Sequence, residues 1–244
     1  MWADIIEIRN FYNSTLGLIT QRLINRRIRN LWPDVTGLEL LGIGYTTPYL
    51  DSFRHEAKHN ISAMPAAQGV LHWPANGENL TSLVNETELP IADVSIDRVL
   101  LVHALENSEN IRPMMREVWR ILASGGRLIV VAPNRRGLWA SFDSTPFGRG
   151  SPYSMNQLSV VLEENMFIPH QKERALFIPP TNSKMALSFS APVEEIGHYW
   201  FPAFAGVNII ESTKQIYARH TEKQLKHTLI RVPQRNTTTS TQES

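Results

Sequence analysis

The sequence predicts an α/β fold built on a parallel, doubly wound sheet, and three stretches predict it. Leu38, Leu40 and Leu41 form an apolar run ending in Gly42-Ile43-Gly44, which reads as a buried strand entering a tight turn. Val99-Leu100-Leu101-Val102 is too continuously apolar for a surface strand and suits burial on both faces of a parallel sheet. The third stretch is a crossover. Ile111, Met114, Met115, Val118, Ile121 and Leu122 fall at helical spacing with Pro113 in the first turn, where a missing N–H costs nothing. Gly125-Gly126 then stops the helix, and Leu128 to Ala132 is a further buried strand ended by Pro133. Strand, helix and strand in that order make a βαβ crossover, so the sheet is parallel.

The other elements fall around these. A chain of 244 residues can bury one core of ordinary α/β size, here expected over residues 1–219. Near the start, Asp4 and Glu7 interrupt Ile5, Ile6 and Ile8 with no basic region ahead of them, so the segment is not a signal peptide. Within residues 1–34, Ser14 to Leu31 is an amphipathic helix. Its arginines Arg22, Arg26, Arg27 and Arg29 are expected in solvent, with the apolar stripe packed on the sheet rather than on a membrane. Asn60 to Met64, stopped by Pro65, reads as the second strand, Val70 to Trp73 as the third and Val94 to Val102 as the fourth. Arg135 to Ser154 is a long loop rich in Gly, Pro, Ser and Arg whose aromatics Trp139, Phe142, Phe147 and Tyr153 mark it as a lid or binding loop. Ser154 caps a helix reaching about Met166, Ala175 to Ile178 is a strand, Lys184 to Phe201 is partly helical, and Gly206 to Tyr217 is the last strand. Residues 220–244 are polar and apolar-poor and are expected to form a disordered tail.

Composition excludes several functions. With 24 basic and 23 acidic residues the net charge is +1, which removes any bulk-charge argument for nucleic acid or membrane. The absence of cysteine excludes disulfides, thiolate-held zinc or iron–sulfur clusters and a cysteine nucleophile. It also accords with a reducing, cytoplasmic location. No run approaches the ~18 apolar residues of a membrane span, and no metal site is expected.

Leu89 to Asn134 carries a more specific pattern. Leu89-Pro90, Asp93, Ser95-Ile96-Asp97, His103-Ala104-Leu105-Glu106, Glu117 to Leu122, Gly125-Gly126 and Pro133-Asn134 stand in one order and spacing. Together with the Gly42 turn, this stretch resembles the class I S-adenosylmethionine-dependent methyltransferases, in the branch called methyltransferase type 11. The resemblance spans Leu38 to Asn134, and the remainder is similar to an alphaproteobacterial subset of such proteins. It implies a seven-stranded, mostly parallel, Rossmann-like sheet with an antiparallel last strand. S-adenosyl-L-methionine is implied as cofactor, and the acceptor is expected to be a small molecule.

The resemblance places the cofactor against Gly42, Gly44, Tyr45 and Thr46, the end of the second strand at Met64 and Pro65, Gln68, the pair Asn85 and Glu86, and His103. Three positions depart from the family pattern. Leu40 stands where the first strand should end in an acid, Thr46 replaces a third glycine, and Met64 replaces the carboxylate that accepts from ribose hydroxyls. Gln68 is a neutral substitute for that carboxylate. His103, past the fourth strand, is the candidate general base, or else a residue that opens the next helix and fills the cleft wall. Arg135, Arg136 and Tyr153 are candidate acceptor-binding residues, the arginines holding an anionic group or else facing solvent. The departures support an alternative: a methyltransferase-like binding module with weak or no cofactor affinity. A nicotinamide oxidoreductase would need glycine where Thr47 stands, and a nucleic-acid binder would need clustered arginines.

Overall fold

The computed structural model describes residues 4–181 and 183–216. The chain opens with α1 (Ile5–Tyr12), whose N-cap Asp4 accepts from the Ile6 N–H, and α2 (Thr15–Leu31), whose N-cap Ser14 accepts from the Gly17 N–H. Then follow β1 (Glu39–Gly44), the short α3 (Thr47–Leu50), β2 (His59–Pro65), β3 (Thr81–Val84), β4 (Ile96–Val102), α4 (Ile111–Ile121) and β5 (Leu122–Pro133). The second half holds α5 (Met155–Glu164), β6 (Phe167–Ala175), α6 (Lys184–Ser188), α7 (Ser190–Trp200) and β7 (Val207–Lys214).

The seven strands form one sheet in the order β3-β2-β1-β4-β5-β7-β6. β3, β2, β1, β4 and β5 pair in parallel, and β7 lies antiparallel to both β5 and β6. The order reverses between β1 and β4, so the carboxyl ends of these two strands make the crevice in which such sheets hold ligands. Alternate side chains serve the two faces. Leu40, Leu100, Val102, Ile129 and Ile209 pack under α1 and α2, while Leu41, Leu101, Leu128, Val130 and Ile210 pack under α4 and α5. Among the described residues, no helix is long and apolar enough to cross a membrane.

The structure revises several boundaries. The third strand is Thr81–Val84, while Leu71 and Trp73 of the expected strand at 70–73 pack onto the core from a strandless segment. Gly125-Gly126 lies within β5 instead of ending α4, which stops at Leu122 where the backbone turns extended. The strand expected at 175–178 is displaced to Phe167–Ala175. Val94, expected in the fourth strand, sits outside it with φ 55°. The expected tail at 220–244 and residues 217–219 lie outside the described residues.

Candidate functional site

At the carboxyl end of β1 both glycines are required by the protein's own packing. A Cβ on Gly42 would stand 2.0 Å from Thr46 Oγ1, and one on Gly44 would stand 2.3 Å from the Val102 carbonyl oxygen. Gly44 also has φ +89°, a left-handed conformation that side chains disfavour. The turn therefore closes tightly onto β4, and the Tyr45 N–H donates to the Val102 carbonyl. Thr46 Oγ1 in turn lies 3.2 Å from Ser62 Oγ on β2, so the first two strands are tied together at their ends.

His103 is the centre of this edge. It follows β4 with φ 54°, is 1% exposed, and is held by four side chains. Its Nδ1 lies 3.1 Å from Glu106 Oε1 and its Nε2 lies 2.9 Å from the Tyr12 hydroxyl. Gln68 Nε2 and Asn107 Nδ2 each donate to the His103 carbonyl at 3.2 Å. Because the Glu106 carboxylate only accepts, Nδ1 donates to it, and Nε2 is left to accept from Tyr12. Three acceptors around this histidine are buried without a partner: Gln68 Oε1, Glu106 Oε2 and Asn107 Oδ1. Buried acceptors are ordinarily satisfied, and here each one belongs to a side chain already gripping His103.

Two elements cover the histidine. From α1, the Tyr12 ring stacks on Tyr45 with centroids 5.4 Å apart and meets Tyr49 edge-on at 6.0 Å, and the Tyr12 and Tyr49 hydroxyls are 2.8 Å apart. From the loop after β5, Phe147 lies 4.8 Å from the His103 ring, backed by Trp139 and Phe11. Burial holds the Tyr12 and Tyr49 hydroxyls well above the usual phenol range and pushes Tyr45 up to about 12, so all three are neutral near pH 7. The loop is also tied down at Glu106, whose carbonyl accepts from the Ser151 N–H.

The residues singled out in the sequence do not all meet at this edge. Gly42, Gly44, Tyr45, Thr46, Gln68 and His103 converge on this edge. Met64 turns into the core, where the Leu71 N–H meets its sulfur at 3.4 Å, and Pro65 spends its carbonyl on the Gln68 and Gly69 N–H groups. Asn85 and Glu86 follow β3, and the Asn85 carboxamide is occupied by Thr87 within its own turn. Arg135 and Tyr153 line one groove of about 390 Å³, whereas Arg136 faces a separate cleft with Asn134 and Asn208. Tyr12, Tyr49, Glu106 and Asn107 were not foreseen. The signals present were Ile5, Ile8 and Tyr12 at helical spacing behind Asp4, and Glu106 three residues after His103.

The methyltransferase-domain family matches residues 39–130, which run from β1 into β5. No curated protein matches the sequence. Among solved structures, a methyltransferase from Thermotoga maritima described as a possible histamine N-methyltransferase is 16% identical, with a TM-score of 0.58 over 86% of this chain and 96% of that one. A putative methyltransferase from Haloferax volcanii, solved with its activator Trm112, is 13% identical with a TM-score of 0.58 over 87% and 100%. Geranyl diphosphate C-methyltransferase from Streptomyces coelicolor is 13% identical with a TM-score of 0.50 over 79% and 81%. At these identities the structures establish a shared fold.

Proposed function

We propose that this chain, whose residues 39–130 match a methyltransferase-domain family, is an S-adenosylmethionine-dependent methyltransferase that methylates a small-molecule acceptor at the His103 edge of the sheet. The cluster around His103 carries the reading. S-adenosylmethionine brings ammonium, hydroxyl and amine donors, and the site offers three buried acceptors that lack one. In donor and acceptor chemistry the residues fit the cofactor, with Gln68, Glu106 and Asn107 as the groups that would hold it. The Tyr12 ring packs against His103 and stacks on Tyr45 at this edge, so in this reading α1 shifts for the site to be used.

When bound, the cofactor supplies an electrophilic methyl group on a sulfonium sulfur. This chain's own residues supply position and a proton acceptor. Glu106 fixes the tautomer of His103, which leaves the Nε2 lone pair to take a proton from an acceptor hydroxyl or amine. In the closed arrangement the Tyr12 hydroxyl stands in that place. Gln68 and Asn107 hold the His103 backbone, and Phe147 and Trp139 keep water from the ring.

The packed Tyr12 ring also favours the second reading, a domain of this fold whose cofactor site has closed permanently. Calorimetry with S-adenosylhomocysteine separates the two. Saturable one-to-one binding that His103→Ala weakens supports the enzyme, and no heat up to millimolar ligand supports the binding module.

A further inference from the structure

At the carboxyl end of β5 a cleft of about 190 Å³ is lined by Arg136, Arg174, Asn208 and the first residues of α5. We infer that this cleft binds the phosphate group of a phosphorylated small molecule. The inference rests on the methyl-transfer reading only in taking that molecule to be the acceptor.

Three observations converge on it. Among the described residues neither the Arg136 nor the Arg174 guanidinium has a hydrogen bond or ion pair, although both line one small space. Two free guanidinium forks match the oxygens of a phosphate, and no carboxylate lines the cleft to neutralise them. Asn208 is 1% exposed, and its Nδ2 donates to the Tyr153 carbonyl, which fixes the orientation of the amide. Its Oδ1 is therefore a buried acceptor with no partner, and it calls for a hydroxyl or amine donor next to the anion. The α5 N-terminus completes the lining with Ser154, Met155 and Asn156, where the helix dipole favours negative charge.

Size narrows the ligand. A cleft of this volume is below the ~300–1,000 Å³ that hold a whole drug-sized molecule, so it takes a head group and leaves the rest outside. The loop that walls it leads towards His103. Ser154 lines the cleft, and Ser151, three residues earlier, donates its N–H to the Glu106 carbonyl. A phosphate anchored here leaves the remainder of the molecule on the edge where His103 lies.

The test measures thermal protection by inorganic phosphate, with acetate and sulfate as comparison anions, on the full chain. The parent protein is set beside Arg136→Gln, Arg174→Gln, their double variant, and Arg22→Gln as an exposed control. Phosphate is expected to protect the parent and Arg22→Gln with one saturable dissociation constant. Each cleft variant should raise that constant by about tenfold or more, the scale of losing a hydrogen bond to a charged group. Equal protection of the double variant and the parent overturns the site. Acetate matching phosphate overturns the phosphate assignment in favour of a carboxylate, and a response in which sulfate and phosphate protect all variants alike marks an adventitious ion only. S-adenosylhomocysteine binding to the same variants is measured in parallel. Phosphate binding without cofactor binding supports the cleft and refutes methyl transfer, whereas cofactor binding without phosphate binding does the reverse.

Discussion

Replacing Tyr12 by Phe should make the protein less stable and a better cofactor binder at once. The ring and its packing on Tyr45 and Tyr49 remain, and only the hydroxyl between Tyr49 and His103 Nε2 is lost. In the closed arrangement this leaves Nε2 of a histidine that is 1% exposed without its partner. Stranding a buried polar group costs about 1–3 kcal/mol. For a domain of this size that corresponds to a fall in Tm of roughly 2–12 °C. The open arrangement, in which α1 has moved away, does not carry that cost, so the closed-to-open equilibrium shifts by the same amount. Apparent affinity scales with the fraction of competent protein, so S-adenosylhomocysteine should bind about 5–150-fold more tightly, up to the limit at which the open form already dominates. Differential scanning calorimetry gives the first quantity and titration calorimetry the second. A lower Tm with unchanged or weaker binding would refute the gating role of Tyr12.

Other perturbations test separate parts of the account. Gly44→Ala should destabilise the fold by at least about 2 kcal/mol in chemical denaturation, because its Cβ would meet the Val102 carbonyl oxygen at 2.3 Å in a left-handed backbone; full stability would show that the turn can relax. Glu117 is held below the usual carboxylate range mainly by its hydrogen bond to Arg120. A depressed folded pKa contributes stability above the unfolded carboxylate range near ~4.3 that is lost as pH falls through the folded value. Acid unfolding of Glu117→Gln should therefore show a shallower loss of stability below pH ~5 than the parent, and identical profiles would remove Glu117 from the acid response.

The parts of the fold that could be read in advance are those where burial writes itself into composition. β1, β4 and β5 are central, so their apolar runs are continuous, and α4 shows one apolar stripe against them. The edges were less legible. β6 is an outer strand carrying His170, Gln171, Lys172, Glu173 and Arg174, and with little face to bury it shows no alternation. β3, at the other edge, leaves Ser82 and Leu83 exposed, while Leu71 and Trp73 imitate a strand because they pack on the core from irregular backbone. Within the candidate site, the place of His103 just past β4 was readable from spacing, whereas its contact with Gln68 was not. Tyr12 was not, since its partners Tyr49 and His103 lie 37 and 91 residues away and only the folded chain brings them together.

Cofactor binding at the His103 edge, as proposed, displaces α1. Hydrogen exchange followed by mass spectrometry, with and without saturating S-adenosylhomocysteine, measures this directly. The predicted result is faster exchange over α1, residues 5–12, together with slower exchange over the turn at 42–46 and at His103. Protection of α1 by the ligand, or no change at either place under conditions where calorimetry shows binding, would contradict it.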